Sequence, residues 1–176
     1  MNSFLSKLIK RNFSQKVVKI PYEKLIDSKN HQLLFSNIQE AYDKNGLGIL
    51  VVENVPNVCD LKTKLFQTGH KLISLPEDKL AKLERPQSNY SFGWSYGKEL
   101  YFDKPDYFKG SYYANLTTNT TNKEHPENVW SEDLPELKPN FYNLGNLIRN
   151  IGFNLLDLID GYVKSVYPGY KYNYSQ

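Results

Sequence analysis

Gly46-Leu-Gly-Ile-Leu-Val-Val-Glu-Asn-Val-Pro56 sets a short apolar run between a glycine pair and a proline. Ile49, Leu50, Val51 and Val52 are mostly β-branched and too few for a core helix, so they read as a strand buried on both faces. Such a strand needs a sheet around it. Upstream the sequence offers one other convincing strand, from Val17 to Tyr22 and ended by Pro21, whereas helices and tyrosine-rich loops follow downstream. The chain therefore supplies fewer strands than the run calls for.

Working outward, Asp27 or Ser28 offers an N-cap to a helix carrying Leu33, Leu34, Ile38, Ala41 and Tyr42 and stopping at Asn45-Gly46. After Pro56 the spacing predicts a second helix with Val58, Leu61, Leu65, Thr68, Gly69, Leu72 and Ile73 facing inward. Pro76-Glu-Asp opens a further short helix, with acids at its positive dipole end. Arg85 to Tyr113 is crowded with aromatics and broken by Gly93, Gly97 and Gly110, which fits short extended pieces and turns. Leu116 to Asn128 reads as a polar loop. From Leu134 to about Tyr167, apolar residues at spacings of three and four, Ile148 and Val166 among them, predict one long amphipathic helix closed by Pro168-Gly169.

The 176 residues amount to about one domain, large enough to bury a core without disulfides or metal. A hydrophobic content of 40% is too high for a disordered chain, and a net charge of +3 is too small to demand an acidic partner. Nucleic acid is not implied, because no Arg/Lys cluster is interleaved with the aromatics. The single cysteine, Cys59, excludes an internal disulfide and, set among Val55, Val58 and Leu61, reads as a buried structural thiol. No apolar run approaches the roughly 18 residues of a membrane span, so no transmembrane segment is expected.

Residues 1–15 contain Lys7, Lys10 and Arg11, three serines and no acid. On a helical wheel Met1, Phe4, Leu5, Leu8 and Ile9 share one side. A basic, acid-free amphipathic start is the profile of a mitochondrial presequence, and Arg11-Asn-Phe-Ser14 places an arginine a few residues before a cleavage point. Mitochondrial localisation is the expectation that follows, with residues 16–176 forming the mature domain.

Catalytic signals are sparse. The histidines are His31, His70 and His125, and only His125-Pro-Glu127 has a His-x-acid spacing, in a polar loop where Pro126 opposes strand pairing; no metal site is expected. Gly93-Trp-Ser-Tyr-Gly97 has nucleophile-elbow glycine spacing without a strand-to-helix context, and reads as a turn between extended segments. Glu132-Asp133 reads as capping for the long helix. The aromatic zone from Tyr90 to Tyr113 is the one suggestive surface, since rings with polar tips suit a small-molecule pocket or a protein contact as well as ordinary packing.

The order of these pieces resembles the N-terminal domain of the isopenicillin N synthase-like branch of non-haem iron, 2-oxoglutarate-dependent oxygenases. The matching stretches are Ile20-Pro21, the Ile38 to Pro56 unit, Leu75-Pro-Glu-Asp-Lys79, Gly93-Trp-Ser-Tyr-Gly-Lys-Glu99, Lys109-Gly-Ser-Tyr-Tyr-Ala-Asn115, and Asn128-Val-Trp130 followed by Leu134-Pro135. The resemblance implies an α+β fold, with helices including a long C-terminal one packed on a few short strands, as the accessory domain of a double-stranded β-helix enzyme. In the family, iron(II) and 2-oxoglutarate are held by a C-terminal jelly roll, whose motifs this chain lacks. The chain itself is thus expected to be non-catalytic and to hold neither. The resemblance also marks Tyr90, Trp94, Ser95 and Lys98 as substrate-contact candidates. It further implies a protein partner, or the missing C-terminal domain, covering the strand at Ile49, Leu50, Val51 and Val52. Two readings stay open: part of an oxygenase, or a stand-alone mitochondrial accessory or structural subunit.

Overall fold

The computed structural model describes residues 16–117 and 127–173; the presequence reading and His125 lie outside them. Helices and a few short strands make a mixed α and β fold that packs as two compact units. One comprises the chain up to Pro56 together with Asn150 onward, and the other is the continuous stretch Asn57–Arg149.

In the first unit, β1 (Val18–Pro21) and β2 (Leu50–Glu53) pair in parallel, with Val18 opposite Leu50 and Ile20 opposite Val52. A parallel pair needs a crossover, which here runs through α1 (Tyr22–Leu25), a 3-10 segment (Ser28–Leu34) and α2 (Phe35–Tyr42). The expected single helix from residue 27 onward is thus split. Asp27 does cap it, accepting from the Lys29 amide at 3.1 Å, but the tighter first turns swing Leu33 into solvent. The α-helix ends at Tyr42, and a turn in which Gly48 N–H donates to the Ala41 carbonyl at 2.8 Å leads into β2.

Burial corrects the reading of the opening run. Successive side chains of a strand point to opposite faces, and only one face of this pair is covered. Val18 and Ile20 are buried, while Leu50 and Val52 pack on a core of Ile20, Leu25, Leu34, Ile38 and Leu158. On the other face Ile49 is 54% and Val51 44% exposed, with Lys19 and Glu53 paired at 3.3 Å. The run is apolar throughout, yet the described residues bury one side of it.

The second unit opens with α3 (Val58–Ile73) and α4 (Glu77–Ala81). Thr68 and Leu72 are buried on α3, but Ile73 turns outward, and Cys59 is exposed rather than buried, one position off the inward stripe. Gly93-Trp-Ser-Tyr96, read as a turn, is a strand, β3 (Gly93–Tyr96). It pairs antiparallel with β6 (Gly110–Tyr113), which the sequence distance between them had hidden. Between them β4 (Leu100–Tyr101) and β5 (Lys104–Pro105) form a small hairpin.

The long helix α5 (Leu137–Val166) begins three residues later than predicted and supplies residues to both units. Asp133 does not serve it as a cap: its carboxylate pairs with Lys79 at 3.1 Å. Ile148 and Val166, expected on the apolar stripe, are exposed. The second core gathers Leu72, Leu83, Trp94, Val129, Leu134 and Leu137. Beside it Trp130 lies 5.9 Å from Phe141 and 5.5 Å from Tyr142, ring centre to ring centre. None of the described helices is long and apolar enough to cross a membrane.

Tyr112 at this core donates its hydroxyl to the Val129 carbonyl, and burial holds its pKa well above the usual tyrosine range. A raised folded-state value means that this stabilisation is whole below the unfolded value near ~10 and is lost as pH rises beyond it. Alkaline titration followed by circular dichroism should therefore show cooperative loss of structure above pH about 10. Tyr112→Phe should flatten that loss, and an unchanged slope in the variant would exclude this phenol as its source.

Candidate functional site

Alternation along β3 sorts the candidate residues. Trp94 stands opposite Tyr112 in the antiparallel register and, only 7% exposed, belongs to the core, its ring tight against Gly110. A side chain on Gly110 would come within 2.6 Å of that indole, so the ring seats only over glycine. Ser95 falls on the opposite face, with Ser111 as its partner and Tyr113 beside Gly93. On that face lies an open recess of about 360 Å³ lined by Asn89, Tyr90, Ser91, Ser95, Lys98, Glu99 and Tyr113. The structure thus brings Tyr90, Ser95 and Lys98 together and sends Trp94 elsewhere.

The recess is held by two ion pairs. Lys98 meets Glu84 at 3.0 Å and lies 5.2 Å above the centre of the Tyr90 ring. Lys109 meets Glu99 at 2.6 Å. The hydrogen bond to Glu84 raises the pKa of Lys98, and that to Glu99 raises the pKa of Lys109, so both ammonium groups stay charged across the neutral range. Asn89 and Tyr90 are consecutive residues at φ 50° and 58°, the left-handed region that a bulky side chain enters at a cost of about 1–2 kcal/mol. That geometry, set by the 3-10 turn Pro86–Ser88, fixes where the Tyr90 ring projects.

Glu84, Glu99, Tyr113 and Lys109 were not singled out from the sequence. The alternation that separates Ser95 from Trp94 appears only with Gly93–Tyr96 as a strand, and the pairing that adds Tyr113 depends on a register no single stretch displays.

Among the described residues no three His, Cys, Asp or Glu side chains converge on one point. His31 donates from Nε2 to the Leu25 carbonyl at 2.9 Å, and His70 is exposed in the last turn of α3. No protein-family model matches the chain, and no curated protein or solved structure matches it either.

Proposed function

We propose that this chain is the N-terminal, non-catalytic part of an isopenicillin N synthase-like iron(II)/2-oxoglutarate oxygenase. In this reading β1 and β2 extend a jelly-roll sheet whose remaining strands, iron and oxoglutarate sites come from a C-terminal domain or a partner polypeptide. The observation that carries it is the uncovered face of the β1–β2 pair. Parallel strands are ordinarily covered on both faces and belong to larger sheets, whereas here Ile49 and Val51 stand exposed on a two-stranded one. The assignment to oxidoreductases concerns the parent enzyme; the chain alone is inactive in this reading.

A second reading uses the same face differently: a stand-alone mitochondrial accessory subunit that docks a protein partner there. The basic amphipathic stretch at residues 1–15 favours it. The intact mass of the native polypeptide separates the two. A mass well above 20.5 kDa supports the oxygenase part, and 20.5 kDa less a presequence, without bound iron, supports the accessory subunit.

Both readings predict that the recombinant chain, produced alone, self-associates or melts without cooperativity, because an apolar strand surface with open edges recruits other chains. Analytical ultracentrifugation with a thermal melt checks this. A monomer with one sharp transition would remove the argument for a covered face. Val51→Lys should reduce association, by setting a charge in the middle of the surface.

A further inference from the structure

We propose that the β4–β5 hairpin is a membrane-contact finger, which sets Leu100, Tyr101 and Phe102 into the interface of a zwitterionic phospholipid bilayer. The inference is independent of the oxygenase reading and concerns the second unit alone.

All the residues from Leu100 to Pro105 are exposed, although successive side chains of a hairpin alternate between its two faces. Neither face is laid on a core, so the hairpin stands clear of the second unit's interior as a finger. Leu100 is 68%, Tyr101 69% and Phe102 82% exposed, and Phe108, on the way back to β6, is wholly so. Phe102 and Asp103 take φ of 47° and 62°, the two left-handed positions of a tight hairpin turn, where Asn-Gly is the ordinary choice. A phenylalanine there bears a backbone cost that glycine would avoid. It gains little burial in return, since its ring meets that of Tyr101 at 4.6 Å and both remain exposed. An apolar group held in water by a strained turn is accounted for when a second phase receives it.

The shape and charge of the finger select that phase. Its apolar side chains present on the order of 500 Å², short of the roughly 800 Å² that each partner of a stable protein interface contributes. A protein would also have to enclose both faces in a cleft, whereas a bilayer interface surrounds the finger without matched shape. Tyr101 stands opposite Lys104 in the hairpin register. A phenol and a lysine stem both bury apolar length while keeping a polar tip at headgroup level. Asp103 and Lys104 make no ion pair among the described residues and cancel in charge, so the finger has no net charge with which to seek an anionic surface. Apolar transfer then holds it, weakly and reversibly.

Flotation of the full chain with phosphatidylcholine vesicles tests this, because protein that merely associates with itself stays at the bottom of the gradient. The chain should float with phosphatidylcholine alone. Added phosphatidylserine should change the floated fraction by less than about twofold, and high salt should not release the protein. Phe102→Gly, which relieves the turn, should keep or raise the urea midpoint while weakening partitioning at least about fivefold. Phe102→Trp should float as the parent does, and brominated lipid should quench the added indole beyond the background set by Trp94 and Trp130 in the parent chain. A chain that stays at the bottom, flotation that needs phosphatidylserine or is lost in salt, undiminished flotation of Phe102→Gly, or an unquenched indole would each overturn the proposal.

Discussion

Leu158→Ala is expected to destabilise the first unit by about 3–4 kcal/mol, the usual range for emptying a fully buried leucine site. Leu158 comes from the far part of α5 and lies with Ile20, Leu25, Leu34 and Ile38 in a core none of whose members is appreciably exposed. Removing its isobutyl group leaves a void bordered by residues from three separate stretches, which cannot all move in to fill it. Both tryptophans, Trp94 and Trp130, belong to the second unit, so their fluorescence does not report this loss directly. Hydrogen exchange at Ile20, Ile38 and Val52 does, and it should accelerate there. A urea midpoint shift worth under ~1 kcal/mol would show that the site collapses or was loosely packed.

Gly93→Ala should damage the second unit by a comparable amount. An added methyl would lie 1.9 Å from the Leu83 carbonyl oxygen, closer than any relaxed contact, at a backbone φ of +71° that disfavours any L side chain. The close approach exists because Glu84 and Gly93 form an antiparallel bridge and Trp94 N–H donates to the Leu83 carbonyl at 3.0 Å. Opening that bridge displaces β3 and with it the Trp94 ring. Left-handed strain of about 1–2 kcal/mol and overpacking of about 1–3 kcal/mol together predict a loss of roughly 2–5 kcal/mol. Trp94 reports it, through a red-shifted emission and a lower urea midpoint. Native emission with an unshifted midpoint would mean that the bridge is dispensable.

Much of the helical content was legible because amphipathic spacing is local: α3, α4 and α5 lie within a few residues of where periodicity, proline and glycine put them. The 3-10 segment before α2 was not legible, since Leu33 and Leu34 suit either geometry. The strands were harder. Val51 has the same chemistry as Val52, and only the placement of the core tells which is covered. For the recess, residue type was enough to pick out Tyr90, Ser95 and Lys98, and it equally suggested Trp94. What separates them is strand parity, which becomes visible once β3 is known to be a strand and not a turn.

The first core closes over residues more than a hundred positions apart, Ile20 and Leu158, while the second lies within one uninterrupted stretch. On a ribosome that difference is a difference in time. At about 5–20 residues per second, Ile20, Leu25 and Ile38 would wait roughly six to twenty-eight seconds for Leu158 to be made, whereas Asn57–Arg149 could fold as it emerges. For that interval the nascent chain carries the apolar β1 segment without its lid, so this protein's yield in the cell should depend on chaperones that hold the early segment rather than on those that act after release.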